Sequence, residues 1–237
     1  MVQTRPIGTK LSIIAFDADD TLWQNEQFFR LTHERFATLL ADFAAPADLS
    51  ARLHDAELRN LGQYGFGIKG FTLSIIETAI DVTDGRVSAS VIKELIDAGQ
   101  DMLRHPIHLL PHAQDVVRDV AQDHCVLLIT KGDLLDQERK LAQSGLGDLF
   151  DAVEIVSDKT PAVYREIFTR HGVAPDQVLM AGNSMRSDVV PVIRIGGWAV
   201  HVPHDLTWAY ETDASAPKSQ MFREIPDLGH LLGLLMR

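Results

Sequence analysis

At 237 residues the chain exceeds the roughly 100–200 typical of one domain yet is short for two full ones, so one core with a sizeable insertion is expected. Apolar residues at 46% and charged ones at 23% exclude a disordered chain, and a formal charge of −11 argues against a nucleic-acid or other polyanion-binding surface. A single cysteine, Cys125, excludes an internal disulfide framework, no apolar stretch approaches the ~18 residues of a membrane span, and Met1–Lys10 is too short and polar for a secretory leader; a cytoplasmic protein with neither membrane nor nucleic-acid partner is expected.

The first element is Leu11–Phe16, a short apolar run without alternation that ends at Asp17, the pattern of a strand buried on both faces. About a hundred residues then pass before the next such run, far more than one crossover helix needs. Within them Phe29, Phe36, Leu40 and Phe43 fall on one helical face, with Pro46 just past it. Ser50 is placed to cap a second helix, Leu73, Ile76 and Ile80 mark a third, and Ile92, Leu95, Ile96 and Leu103 a fourth. The stretch from about Gln24 to His105 is therefore a helical insertion. From there strands alternate with helices: Cys125–Thr130, a helix carrying Leu134, Leu135, Gln137 and Leu141 that stops at Gly145, Ala152–Val156, a helix opened by Pro161 and closed near Gly172, Val178–Ala181 and Trp198–Val202. A polar surface loop over 203–223 and a closing helix through Leu228, Leu231, Leu232 and Leu235 complete the chain. The fold class is α/β: a Rossmann-like parallel sheet of about five strands with helices on both faces, built from residues 1–22 and 106–237, plus an all-helical domain over 23–105.

Ligands of open parallel sheets bind at the carboxyl ends of the strands. Those ends carry Asp17, Asp19, Asp20 and Thr21 after the first run, Thr130 and Lys131 at the second, Asp158 and Lys159 after the third, and Gly182, Asn183, Ser184 and Asp188 after the fourth. Carboxylates, a hydroxyl, a lysine and an amide together suit a divalent cation and a phosphate. The ten histidines show no spacing suited to zinc, and the tryptophans form no stacking platform among basic residues.

In these positions the chain resembles the haloacid dehalogenase superfamily, whose first motif is matched by Asp17-Ala18-Asp19-Asp20-Thr21, the second by Thr130, the third by Lys159 and the fourth by Gly182-Asn183-Ser184 through Asp188. The resemblance covers about residues 10–22 and 106–202, and the helical insertion resembles the family's first class of cap. It implies that Asp17 is a nucleophile forming an aspartyl-phosphate, that Asp19 is the general acid and base, and that Thr130 and Lys159 hold the phosphoryl oxygens. It also implies Mg²⁺, bound by Asp17, the backbone carbonyl of Asp19, Asn183 and Asp188. Dehalogenases of the family resemble the phosphatases but lack the second aspartate, so Asp19 favours hydrolysis of a small phosphorylated metabolite. An acid in that role calls for a raised pKa at Asp19, through crowding with Asp17 or closure of the cap.

Asn183 departs from the aspartate usual there. Either its amide oxygen reaches the cation, or Asp188 alone does while Asn183 orients it. In the insertion, Lys69 lies among Gly65, Gly67 and Gly70, either reaching an anionic substrate from a turned loop or solvated in a hinge. A phospho-acceptor signalling module and a catalytically degenerate binding protein are the competing readings; oligomeric state is not legible.

Overall fold

The computed structural model describes residues 7, 11–212 and 214–235, so of Met1–Lys10 only Ile7 is described. In chain order the elements are β1 (Ile13–Phe16), α1 (Glu26–Leu39), α2 (Pro46–Tyr64), α3 (Ile68–Val82), α4 (Ala89–Arg104) and α5 (Ala113–Val120). There follow β2 (Cys125–Lys131), α6 (Leu134–Ser144), β3 (Ala152–Val156), α7 (Pro161–Arg170), β4 (Val178–Gly182) and α8 (Val190–Arg194). The last are β5 (Trp198–His201), α9 (Ala209–Thr212), β6 (Phe222–Glu224) and α10 (Leu231–Leu235). Two compact units result, Met1–Glu26 with Ile107–Arg237, and Gln27–Pro106.

In the first unit the strands form one parallel sheet in the order β3-β2-β1-β4-β5-β6. Successive side chains enter opposite cores, because strand residues alternate between faces. Ile14, Phe16, Val126, Leu128, Leu179 and Val200 pack with Val116, Val117 and Leu231 on one face. Ile13, Ala15, Leu127, Ile129, Met180 and Ala199 pack with Tyr164, Ile167, Phe168 and Val192 on the other. The chain runs outward from β1 to β3 and then returns to β4 beside β1, so the topological switch lies at the carboxyl ends of β1 and β4. The sixth strand and α9 occupy the stretch expected to be a polar loop. Three-residue β6 adds an edge through backbone pairing of Ala199, Val200 and His201, which needs no apolar run of its own.

The second unit is a set of four helices around Phe36, Leu40, Leu49, Leu53, Ile68, Phe71, Ile75, Leu95 and Met102. Three expectations are corrected in it. Ser50 lies inside α2, which instead starts with Pro46 in its first turn, where a missing N–H costs nothing. In α3 the buried face carries Ile68, Phe71, Ile75 and Ala79, leaving Leu73 and Ile80 44% and 43% exposed. Lys69 sits exposed in the first turn of α3, with Gly65 and Gly67 confined to the short connection before it. Gly99 of α4 is required by a close helix crossing, since a Cβ there would lie 2.3 Å from Thr72 Oγ1.

Candidate active site

The loop after β1 is pinned to the switch point by its first amide, Asp17 N donating to the Ala181 carbonyl at 2.9 Å. It turns at Asp20, whose φ of 58° is left-handed, a region Asp visits more readily than most residues. The Asp20 carboxylate then accepts from the Asn25 and Glu26 amides at 2.8 and 3.0 Å, capping the turn into α1. Burial and the charge of Asp19 push Asp20 up to about 6, against the pull of His204 and those two amides.

Asp17 lies at the centre of a chain of polar contacts. Thr21 Oγ1 approaches Asp17 Oδ2 at 3.1 Å and Asn183 Oδ1 at 3.3 Å, while accepting from the Asn183 amide at 3.0 Å. On the other side Lys159 Nζ donates to Asp17 Oδ1 and, at 2.7 Å, to Asp188 Oδ1. Asp17, Thr21, Lys159, Asn183 and Asp188 are all buried. Two carboxylates thus share one ammonium. Burial pushes Asp17 up to about 7, with Asp188 and Asp19 adding to the rise and Lys159 opposing it. Burial works against the charge of Lys159, but Asp17 and Asp188 outweigh it and raise its pKa.

Asp188 reaches this position from an irregular helical turn over Met185–Val189, which Ser184 caps by accepting from the Ser187 amide at 2.9 Å. Its approach depends on Gly182: a Cβ there would lie 2.3 Å from Asp188 Oδ2. The Ser184 amide donates to that same oxygen at 2.9 Å. Thr130, buried near the end of β2, lies two residues beyond Leu128, the register partner of Phe16. The first unit therefore brings Asp17, Lys159 and Asp188 into direct contact, links Asn183 to Asp17 through Thr21, and sets Thr130 on the adjacent strand end. Lys69 belongs to the helical unit.

The Asp19 carboxylate is held by three side-chain donors. Its Oδ1 accepts from Trp23 Nε1 at 2.7 Å and its Oδ2 from Gln137 Nε2 at 2.8 Å, and Lys140 Nζ reaches both oxygens at 2.9 and 3.0 Å.

Sequence reasoning missed three residues. Gln137 and Lys140 sit on α6, whose expected apolar face is reversed, with Leu134 and Leu135 59% and 68% exposed. Glu211, within the expected surface loop, is buried and accepts from Lys131, from Ser184 Oγ at 2.5 Å and from Ser187 Oγ at 2.6 Å. Burial would raise its pKa, but Lys131 and the two hydroxyls outweigh that and lower it. A buried polar triplet at helical spacing was the available signal on α6. Glu211 carried none, because its partners come from two segments far from it in sequence.

The donor chemistry suits a hard divalent cation: carboxylate oxygens of Asp17 and Asp188, the amide oxygen of Asn183 and the Asp19 carbonyl. Among the described residues no group of three or more His, Cys, Asp or Glu side chains is arranged for a metal, so a cation here would draw on two carboxylates and neutral oxygens.

The sequence profile of haloacid dehalogenase-like hydrolases matches residues 11–196. A haloacid dehalogenase-like family hydrolase from Xanthomonas campestris is 38% identical over 95% of this chain and 90% of its own, with a TM-score of 0.83. The chain belongs to the haloacid dehalogenase-like hydrolase family. Its fold is shared with a protein described as a predicted phosphoglycolate phosphatase from Haemophilus somnus (17% identity, 97% and 100% coverage, TM-score 0.65). It is shared equally with an L-2-haloacid dehalogenase from Xanthobacter autotrophicus carrying covalently bound chloropropionic acid (19% identity, 93% and 96% coverage, TM-score 0.64). No curated protein sequence matches the chain.

Proposed function

We propose that the protein is a cytoplasmic, Mg²⁺-dependent hydrolase of a small phosphomonoester, working through an aspartyl-phosphate on Asp17. The observation that carries this reading is the buried Asp17 sharing Lys159 with Asp188, while a second aspartate two residues along is held by its own partners. A halide leaves without a proton, so a dehalogenase has no use for Asp19; an alkoxide needs one.

In the first half-reaction a carboxylate oxygen of Asp17 bonds to phosphorus, the bond to the leaving oxygen breaks, and Asp19 supplies that oxygen with a proton. In the second, water bonds to phosphorus, the bond to Asp17 breaks, and the water's proton returns to Asp19. Lys159 and Thr130 hold the phosphoryl oxygens, one by charge and one by its hydroxyl. A bound Mg²⁺ would offset the repulsion between carboxylate and phosphate and would be held by Asp17, the Asp19 carbonyl, Asp188 and Asn183.

The test is a panel of phosphorylated metabolites assayed with and without Mg²⁺, run beside Asp17→Asn. Mg²⁺-dependent release of phosphate by the native protein, abolished in the folded variant, is expected. Full activity in Asp17→Asn would remove the nucleophile from this mechanism.

A further inference from the structure

Helix α6 buries an unusual set of side chains. They are Asp136, Gln137 and Lys140, at spacings that place all three on one side of the helix. Lysine and aspartate are rarely buried unless paired, so such a face needs a partner. Its partner is Asp19. Lys140, 5% exposed, reaches both Asp19 oxygens, donates to Asn25 Oδ1 at 2.8 Å and lies 3.5 Å from Asp136 Oδ2. Gln137, 4% exposed, donates to Asp19 Oδ2 and, at 3.2 Å, to the Lys131 carbonyl. Gly132 makes room for that amide: its φ is 137°, and a Cβ there would lie 3.0 Å from Gln137 Nε2.

Aiming the amide this way has a cost. Gln137 Oε1 is buried with no hydrogen-bond partner among the described residues, an arrangement folded proteins rarely tolerate. Packing alone does not call for it; fixing Asp19 does.

We propose that Gln137 and Lys140 are positioning residues that hold Asp19 as the base for the second half-reaction. The inference rests on the phosphohydrolase reading above. Among the described residues, the side chains hydrogen-bonded to Asp19 all donate to it: Trp23, Gln137 and Lys140. Those contacts fix the orientation of both carboxylate oxygens. These contacts fill the roughly four acceptor sites of a carboxylate. The Lys140 contact is shared between both oxygens, so drawing it onto one frees a lone pair for the water's proton. Asn25 and Asp136 keep the ammonium in place meanwhile. Water then bonds to phosphorus, the phosphorus–Asp17 bond breaks, and the proton passes to Asp19.

The test follows the phosphoenzyme directly. Full-length native protein, Lys140→Met and Gln137→Leu are loaded with acetyl phosphate in Mg²⁺, the donor is removed, and phosphoprotein is followed by intact mass. Lys140→Met is expected to lengthen the phosphoenzyme lifetime by about tenfold or more, part of the roughly 10²–10⁴-fold that a positioned base contributes, and to slow loading by much less. Gln137→Leu shifts the lifetime in the same direction and carries the comparison alone if Lys140→Met does not fold. An unchanged lifetime, or loading slowed as much as decay, would overturn the proposal, since a purely structural role damages both steps. Absence of phosphate on Asp17 in the native protein would instead sink the phosphohydrolase reading itself.

Discussion

Lys159→Met is the most informative single change. Its Nζ is the counter-ion that Asp17 and Asp188 share, and the three side chains are 2%, 9% and 1% exposed. Methionine keeps the length and apolar volume of the chain while deleting the charge, leaving two buried carboxylates facing each other. Removing one partner of a buried ion pair typically costs about 3–5 kcal/mol. For a chain of this size that converts to a fall in Tm of about 6–20 °C. Part of the loss is recoverable. Because Asp17 is already pushed up to about 7 by burial, protonating it below that pH relieves the repulsion, so the variant should lose less at pH 5 than at pH 8. Mg²⁺ supplies charge by another route and should raise the variant's Tm more than the native protein's. The assay is thermal unfolding by circular dichroism at both pH values, in chelator and in Mg²⁺. A metal-free variant melting within about 2–4 °C of native at pH 8 would refute the assignment of Lys159 as the shared counter-ion.

Three other outcomes are expected. In metal-free protein Asp17, raised from an ordinary 3.8 to about 7, binds more protons folded than unfolded between those values; stability is therefore fully present below the lower one and is lost as pH rises through about 7, which urea melts across that range will register. Thr21→Val leaves the buried Asn183 amide without its acceptor at 3.0 Å and should cost about 1–3 kcal/mol by chemical denaturation; no measurable change would remove Thr21 from the site's support. Asn183→Asp adds a third carboxylate beside Asp17 and should tighten Mg²⁺ binding roughly tenfold by calorimetry while lowering the Tm of the metal-free protein. Unchanged Mg²⁺ affinity would favour the arrangement in which Asp188 alone meets the cation.

Buried strands announce themselves because nearly every residue must be apolar where helices cover both faces, and that is why β1, β2, β4 and β5 were legible as near-continuous apolar runs, whereas edge strand β3 carries Glu154 and an exposed Val153. Strand order then pointed to Asp17, Asp19, Thr130, Lys159, Asn183 and Asp188, since each follows or ends such a run. Edge strand β6 escaped because backbone pairing, with little apolar content, holds it. The orientation of α6 escaped for a different reason. Periodicity assumes that a helix turns its leucines inward, and here the inward face met a carboxylate that only the folded loop after β1 could place beside it. Local sequence thus determined which residues stand at the strand ends. Which of them touch, with Lys159 between two carboxylates and Lys140 on Asp19, was decided by contacts between segments more than a hundred residues apart in two of those three pairings. Local patterns carry no record of such contacts, because charge pairing in a dry interior depends on distance through space.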